Sequence, residues 1–251
     1  MIAPNPVAFS IFGVDIMWYG ILIAIGFVLA IYISYLRADK FGINPDYILD
    51  FAIVLLPASI IGARLYYVIF KWDYYQGNFS EIINIRNGGL AIHGGLICGI
   101  LAGAFICKYR KINIMNLGDL VFPSVALAQA IGRWGNFFNS EAHGIQTNLP
   151  IAVIIDGQRY HPTFLYESLF CFCLFIFLII ISKRRKFMGQ IALLYGMLYS
   201  VERYFVEGLR TDSLMLGNFR IAQLMSLAAI LVCGALYIVL KNKNERDRLK
   251  R

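Results

Sequence analysis

The chain has 251 residues, of which 59% are hydrophobic and 15% are charged, and its mean hydropathy is +0.65. Soluble domains of this size are less apolar, so the composition excludes that class and predicts an integral membrane protein. The net charge of +8 does not indicate nucleic-acid binding, because the basic residues lie in short runs between apolar segments and face a membrane surface there.

Seven stretches are long and apolar enough to cross a bilayer, which requires about 20 residues. They predict an all-α, polytopic membrane protein. We find no internal repeat or domain boundary and expect a single domain over residues 1–251. The start of the chain lacks a basic segment and a small-residue cleavage site, so we expect no removable signal peptide. The predicted spans are approximately 18–36, 47–70, 89–107, 117–138, 163–182, 189–206 and 221–240.

Lysine and arginine collect in alternate connections between these spans. By the positive-inside rule, those connections are cytoplasmic, with the amino terminus outside and the carboxyl terminus in the cytoplasm. The outer connections, 71–87, 139–162 and 207–220, are longer and mixed in character, and loops of this kind often carry function. The clustered basic residues are Arg37, Lys40, Lys108, Arg110, Lys111, Lys183, Arg184, Arg185, Lys186, Lys241, Lys243, Arg246, Arg248, Lys250 and Arg251.

The most unusual stretch is GRWGNFFNSEAHG, residues 132–144, where Arg133 lies inside the fourth predicted span. An arginine near hydrocarbon costs several kcal/mol unless it reaches water, a partner or an anion, so it predicts a functional site. The alternative is an interfacial arginine that snorkels to the headgroups. If the helix continues, Arg133 and Asn136 share a face, and Asn139, Glu141 and His143 follow closely.

Two further polar groups lie at the same predicted depth. His93 stands between glycine pairs in GGLAIHGGL, which favours a cavity-lining role, although a histidine that bonds between helices is the alternative. In YSVERYFVEGLR, the spacing of Tyr199, Arg203, Glu207 and Arg210 predicts one stripe on a helix. A purely structural Arg203–Glu207 pair is the simpler interpretation.

The remaining polar signals are weaker. Tyr19 opens the first span, where an aromatic belt is usual, and Arg64 could snorkel to the interface. HPTFLYE brings His161 and Glu167 to the start of the fifth span, and Gln223 fits a hydrogen bond between helices. The five cysteines lack metal-ligand or disulfide spacing, and we expect neither a metal nor a cofactor.

Arginines, amides, carboxylates and a histidine at one membrane depth point to phospholipid chemistry. Arginine binds phosphate oxygens bidentately and keeps its charge at low dielectric, which suits Arg133 and Arg203 to a lipid headgroup. His93 is able to take a proton near neutral pH.

With these motifs in this order, the chain resembles the bacterial phosphatidylglycerol:prolipoprotein diacylglyceryl transferases over nearly its whole length. The resemblance implies transfer of the diacylglyceryl group of phosphatidylglycerol to the lipobox cysteine of a prolipoprotein, which forms a thioether and releases glycerol phosphate. It also implies action at the outer leaflet of the bacterial inner or plasma membrane, without a cofactor. The motifs are WYG, GARLYYV, GGLAIHGGL, GRWGNFFNSEAHG, HPTFLYE and the series from Tyr199 to Arg210.

The resemblance also implies roles for individual residues. Arg133 matches the phosphatidylglycerol-binding arginine of the family, and His93, Arg203 and Tyr19 match positions important for activity. His93 is the expected base for the thiol, and Arg133 and Arg203 are expected to stabilise the leaving phosphate. The companion binding residues are Asn136, Asn139, Glu141, Gly144, Tyr199 and Glu207, while His143 receives no role.

Two other functions remain open from the residues alone. Helices that hold arginine and glutamate in the membrane are also found in transporters of anions, although we find no repeated pair of interrupted spans. A noncatalytic scaffold, whose polar residues only join helices, is the second alternative.

Overall fold

The computed structural model describes residues 1–2, 4–85 and 88–249, which are mostly helical. The helices are α1 (Trp18–Arg37), α2 (Pro45–Phe70), α3 (Trp72–Tyr75), α4 (Phe79–Ile83), α5 (Ile92–Tyr109), α6 (Ile114–Phe138), α7 (Thr163–Ser182), α8 (Gln190–Leu209) and α9 (Ile221–Leu249). The described ranges also contain three antiparallel hairpins: β1 (Val7–Ile11) with β2 (Val14–Met17), β3 (Val153–Ile155) with β4 (Gln158–Tyr160), and β5 (Met215–Leu216) with β6 (Phe219–Arg220). The helical architecture is confirmed, but the all-α prediction missed these hairpins.

Six helices of the described chain are long and apolar enough to cross a membrane. They are α1, α2, α5, α6, α7 and α9, which makes the protein a polytopic membrane protein. The sixth predicted span, 189–206, corresponds to α8, which is not one of the six because it carries Glu202, Arg203 and Glu207. Its 20 residues would extend about 30 Å, so charge and not length separates α8 from the others.

The chain forms two compact units. The larger unit comprises residues 1–33 and 118–251, and the smaller unit comprises residues 34–117. In the larger unit, α6, α7 and α8 contribute to one buried cluster of apolar side chains, and an added Cβ on Gly26 of α1 would lie 3.1 Å from the Ala128 carbonyl oxygen of α6. The buried cluster consists of Ala126, Leu174, Leu178, Ile191 and Tyr195.

Asp119 joins α6 to the start of α8. Its side chain is fully buried, and its carboxylate accepts hydrogen bonds from the backbone N–H groups of Gly189, Ile191 and Ala192 at 2.7, 2.8 and 2.9 Å. Arg185 adds an ion pair at 3.0 Å. A helix start leaves its first N–H groups without intrahelical partners, and the negative charge also complements the helix dipole. Asp119 therefore fixes the amino-terminal end of α8, whose other end carries the candidate site.

In the smaller unit, α2 and α5 pack through glycines. A Cβ on Gly62 would overlap the Cys98 side chain, and a Cβ on Gly94 would overlap the Gly62 carbonyl group. Such contacts let two helix backbones approach closely, as is usual for membrane helices. Phe51 and Ile106 lie in the buried cluster at the other end of this pair.

Candidate active site

Two arginines of the larger unit share one buried carboxylate. Arg133 of α6 approaches Glu167 of α7, with 3.1 Å between Nε and Oε2, and Arg203 of α8 approaches the other oxygen of Glu167, with 2.8 Å between Nη1 and Oε1. Arg203 also donates to Glu207 at 2.7 Å, one turn along α8. The result is a continuous row of charges across three helices.

Burial makes this row chemically unusual. The side chain of Glu167 is only 1% exposed, whereas those of Arg133 and Arg203 are 20% and 22% exposed. The two arginine side chains thus hold a buried anion and still retain accessible surface. The sequence had suggested a snorkelling Arg133 as an alternative, but its partner is a carboxylate inside the protein.

The neighbouring side chains hold α6 against α7 beside this row. Trp134 donates from Nε1 to the Ser168 hydroxyl at 3.0 Å, and Ser168 donates to the Ala130 carbonyl at 2.8 Å. Since Trp134 follows Arg133 and Ser168 follows Glu167, these bonds fix the helix register at which arginine and carboxylate meet.

Tyr199 lies one turn before Arg203 on α8. Arg133 donates from Nη2 to its hydroxyl oxygen at 3.5 Å, which is at the long limit for a hydrogen bond. The Tyr199 ring stacks on Tyr195, with 5.6 Å between the centroids. Among the described residues, Arg133 is therefore held by one ion pair and one long hydrogen bond.

Glu202 is a further carboxylate that sequence reasoning did not assign. Its residue is 6% exposed, and neither carboxylate oxygen has a hydrogen-bond partner among the described residues. It interacts electrostatically with Glu167, Arg133 and Arg203. Two guanidinium groups therefore face carboxylates from Glu167, Glu207 and Glu202, so an ionised Glu202 would give the cluster one excess negative charge.

The polar end of the signature stretch forms a second, smaller group after α6. The side-chain amides of Asn136 and Asn139 both donate to Oε1 of Glu141, at 2.9 and 3.4 Å. The backbone turns here through positive φ angles of 52° at Ser140 and 55° at Ala142, which are uncommon for residues with side chains. The two predicted amides and their carboxylate thus meet, and the amides orient the carboxylate.

Gly144 is needed at a crossing of three segments. Its N–H donates to the His161 carbonyl at 3.0 Å. An added Cβ would lie 2.7 Å from Cβ of His161 and 3.1 Å from the Leu209 carbonyl oxygen, closer than a side chain tolerates. Gly144 therefore ties the signature stretch to the end of α8, which is a packing reason for glycine.

Tyr19 packs at the amino-terminal end of α1 against the helix that carries Arg133. Its ring occupies the space that a Cβ on Gly135 would need. Trp18 stacks on Phe138 in the same region, with 5.2 Å between ring centroids. Tyr19 thus contacts the signature stretch, beyond the aromatic-belt position that its sequence context suggested.

His93 belongs to the smaller unit. It is the second residue of α5, is exposed, and its ring lies 6.2 Å from the ring of Tyr66. Gly88 and Gly89 precede the helix with φ angles of 83° and 76°, so the predicted third span begins later than expected, at Ile92.

The predicted snorkelling of Arg64 is wrong. The residue is 7% exposed and donates to the carbonyl groups of Glu81, Ile82, Gly88 and Gly89, at 2.6 to 2.9 Å. Its guanidinium group also lies over Tyr75, 5.0 Å from the ring centroid. Arg64 therefore organises the connection before α5.

The predicted stripe on α8 is correct up to Glu207 and fails at Arg210. The helix ends at Leu209, and Arg210 donates two hydrogen bonds to Asp212, at 2.9 and 2.7 Å. These bonds hold the pKa of the Asp212 carboxyl below its usual range. Gln223 donates to the Tyr204 carbonyl at 3.1 Å, as predicted for a bond between α8 and α9.

The main residue that sequence reasoning undervalued is Glu167. It was only a weak signal in HPTFLYE, and its position inside the most apolar of the predicted spans could have marked it. No group of three or more His, Cys, Asp or Glu residues suited to a metal occurs within the described ranges.

Comparisons with known proteins identify the family of the chain. A family model described as prolipoprotein diacylglyceryl transferase matches residues 6–239. A Clostridioides difficile (strain 630) protein named phosphatidylglycerol–prolipoprotein diacylglyceryl transferase is 52% identical over 240 residues, covering 95% of this chain and 97% of its own.

Proteins with the same name in other bacteria are similarly close. The one from Finegoldia magna is 52% identical over 245 residues, covering 97% of each chain. The one from Staphylococcus aureus (strain JH9) is 47% identical over 247 residues, covering 93% of this chain and 88% of its own. With a family match over nearly its full length, the chain belongs to the prolipoprotein diacylglyceryl transferase family.

Proposed function

We propose that this chain transfers the diacylglyceryl group of phosphatidylglycerol to the cysteine thiol in the lipobox of a prolipoprotein. Residues 1–251 act as one transferase domain. The observation that carries the proposal is the pair Arg133 and Arg203 on the buried carboxylate of Glu167, in a membrane protein of this family. Family membership does not favour the transporter alternative.

The reaction is a displacement at carbon. The thiolate sulfur attacks the glycerol carbon that bears the phosphate, a carbon–sulfur bond forms, and the carbon–oxygen bond to phosphate breaks. The electron pair of that bond leaves with glycerol phosphate, which gains negative charge in the transition state. Positive groups fixed around the leaving oxygen lower this barrier because they are oriented before the reaction begins.

Arg133 and Arg203 supply that positive charge. Each arginine side chain keeps accessible surface while it contacts Glu167, and the contact of Arg133 with Tyr199 is weak. The headgroup phosphate competes with Glu167 for Arg133, and Glu207 keeps Arg203 in place. Six further residues bind or orient the lipid around these arginines: Tyr19, Asn136, Asn139, Glu141, Gly144 and Tyr199.

His93 is the proposed base. A thiol with a pKa of about 8.5 is mostly protonated at neutral pH and needs a base or a positive field to become nucleophilic. The assignment rests on the resemblance of GGLAIHGGL and on the exposure of the imidazole at the start of α5. The His93→Gln variant should lose ~10²-fold or more in turnover with little change in phosphatidylglycerol affinity. Unchanged turnover would remove the base assignment.

We further propose that α8 is a seventh membrane span. The amino terminus is then outside, the carboxyl terminus is cytoplasmic, and the site faces the outer leaflet of the bacterial plasma membrane. The distribution of lysine and arginine supports this orientation. Reporters fused after residue 186 and after residue 249 should both report a cytoplasmic location. An external location for the reporter after residue 249 would refute the topology.

The transfer reaction is tested with purified protein, labelled phosphatidylglycerol and a synthetic lipobox peptide. Wild type should form a thioether product, while Arg133→Ala and Arg203→Ala should each lose ~10²-fold or more in turnover. Arg159→Ala, an exposed arginine of β4, is the matched control and should retain wild-type turnover. A peptide with serine in place of cysteine should give no product. Absence of transfer by folded wild type would contradict the proposed function.

A further inference from the structure

The three hairpins of the described chain differ in what they expose. In the β1–β2 hairpin, the side chains of Phe9, Ile11 and Val14 are each half exposed and Phe12 is fully exposed. In the β3–β4 hairpin, by contrast, Val153 is 3% exposed. The β1–β2 hairpin thus leaves large apolar side chains uncovered by the protein, whereas the apolar Val153 of β3 is buried.

The β1–β2 hairpin has one apolar face and one polar face. Phe9 pairs with Ile16 and Ile11 pairs with Val14, and paired residues two apart along a strand lie on one face. Ser10 pairs with Asp15 on the other face, and their side chains are hydrogen-bonded. The hairpin is therefore amphipathic, although it is too small to cover its own apolar face.

Phe12 is an unfavourable residue for the turn in which it lies. It adopts a φ of 50°, and Gly13 adopts 78°, a combination that favours asparagine, aspartate or glycine at the first position. The β3–β4 turn uses the favoured type, with Asp156 at 49° and Gly157 at 77°. A fully exposed phenylalanine in a left-handed conformation stabilises neither the turn nor a core, which indicates a role outside the folded chain.

The β5–β6 hairpin also exposes apolar side chains, with Leu216 paired with Phe219 and Met215 paired with Arg220. Met215 and Leu216 are 53% and 64% exposed, Phe219 is 65% exposed, and the preceding Leu214 is 69% exposed. Its turn is formed by Gly217 and Asn218, so the apolar side chains lie on both sides of the turn.

Both hairpins are fixed to the first turn of a membrane helix. The N–H of Trp18, the first residue of α1, donates to the Pro6 carbonyl at 2.9 Å. The N–H of Ile221, the first residue of α9, donates to the Leu214 carbonyl, also at 2.9 Å. The exposed apolar surfaces are thus continuous with the ends of helices that lipid surrounds.

We propose that β1–β2 and β5–β6 are interfacial anchors whose apolar residues insert among the lipids where α1 and α9 begin. The partner is the phospholipid surface, because each hairpin leads within one residue into a membrane helix and because the inserted side chains are uncharged. Under the proposed seven-span topology, both anchors lie in the outer leaflet. They hold the beginnings of α1 and α9 at a fixed depth, about 5–10 Å into the headgroup and acyl boundary.

Tryptophan fluorescence in nanodiscs tests this proposal. The variants are Phe12→Trp in the proposed anchor and Asp156→Trp in the matching turn of β3–β4, and the wild-type signal is subtracted for the native tryptophans. With lipids brominated high on the acyl chains, quenching of the Phe12→Trp signal should be about twofold larger than that of the control, because bromine quenches only at short range and the tip lies at the interface. Aqueous iodide should show the reverse order.

A second position keeps the test independent of one variant's folding. Leu216→Trp should behave like Phe12→Trp, and both should be quenched without any added peptide. Equal quenching of anchor and control variants by brominated lipid would overturn the proposal. Protection from iodide that develops only when a lipobox peptide is added would also overturn it, since the hairpins would then bind protein and not lipid.

Discussion

The guanidinium groups of Arg64, Arg133 and Arg203 are all bonded inside the protein, but their acceptors are of two different kinds. Arg64, in the smaller unit, donates to four backbone carbonyl groups of one connection. Arg133 and Arg203, in the larger unit, contact side-chain carboxylates and keep part of their surface accessible. From the sequence, snorkelling was the interpretation of Arg64 but only the alternative for Arg133, which was predicted to mark a functional site.

The difference shows which arginine is available for a ligand. Backbone carbonyls are fixed by the fold, so releasing Arg64 would leave several acceptors without donors and disrupt the connection before α5. A carboxylate is itself an anion and occupies the guanidinium as a phosphate would, so one can replace the other at lower cost. We infer that Arg64 builds the scaffold, whereas Arg133 and Arg203 bind substrate.

The largest expected effect on stability comes from Glu167→Gln. Removing the charge leaves two partly buried guanidinium groups without their shared anion, and breaking a buried pair in this way costs about 3–5 kcal/mol. The thermal midpoint of unfolding in detergent should fall. Addition of phosphatidylglycerol should raise the thermal midpoint of Glu167→Gln more than that of wild type, because the phosphate restores the missing negative charge. An unaltered midpoint would show that the carboxylate does not hold the arginines.

The next effect is expected for Arg64→Lys. Lysine keeps the charge, but its single ammonium group cannot reach all the carbonyl groups that Nε, Nη1 and Nη2 of Arg64 contact. We therefore expect the free energy of unfolding to fall by about 2–3 kcal/mol. Limited proteolysis of the segment 79–91 should accelerate, and phosphatidylglycerol should not restore stability. Lys71→Ala, at an exposed position near the same connection, is the control and should change little. If phosphatidylglycerol restored the stability of Arg64→Lys, the proposed difference between Arg64 and the pair Arg133 and Arg203 would be refuted.

Much of the helical fold could be predicted from the sequence, because spans such as 163–182 have a continuous apolar pattern. The Arg203–Glu207 pair also followed from its spacing, since residues four apart on a helix are neighbours. Glu167 could not be paired in advance, because its partners lie 34 and 36 residues away on other helices. Such contacts depend on how α6, α7 and α8 pack, which local patterns do not specify.

The β1–β2 hairpin was missed because its turn begins with phenylalanine, where asparagine or aspartate is the usual signal. The β3–β4 hairpin has that usual signal in Asp156 and Gly157, but its strands have only three residues each and show no alternating pattern. Arg64 was misinterpreted because its acceptors are backbone carbonyls, which every residue carries and which no sequence motif marks. The carbonyls become specific only when the chain folds back over the guanidinium group.

Glu202→Gln tests whether Glu202, like Glu167, holds Arg133 and Arg203. Its carboxylate has no hydrogen-bond partner in the described chain, so the substitution removes a buried charge without breaking a pair. The remaining cluster then holds two guanidinium groups and two carboxylates. We expect the variant to be about 1 kcal/mol more stable than wild type and to bind phosphatidylglycerol more tightly. Destabilisation as large as that of Glu167→Gln would show that Glu202 holds the arginines as well.

The smallest effect is expected at Asp212, outside the membrane helices. Hydrogen bonds from Arg210 lower the pKa of Asp212 in the folded protein, so the pair stabilises the fold above the unfolded pKa of about 3.9 and is lost as pH falls through the folded value. The carboxylate side chain is 52% exposed, which limits the gain to less than about 1 kcal/mol. Thermal midpoints of wild type and Asp212→Asn should differ near neutral pH and converge in acid. A constant difference down to about pH 3 would contradict this assignment.

The central claim is that a lipid phosphate competes with Glu167 for Arg133 and also contacts Arg203, which Glu207 keeps in place, whereas Arg64 binds no lipid. The most direct measurement is the ¹⁵N resonance of each arginine Nε in labelled protein, assigned through Arg→Lys variants, in phosphatidylcholine nanodiscs with and without phosphatidylglycerol. The Arg133 and Arg203 resonances should shift on addition of phosphatidylglycerol, and the Arg64 resonance should stay unchanged. If Arg133 and Arg203 do not respond, or if Arg64 shifts equally, the account is contradicted.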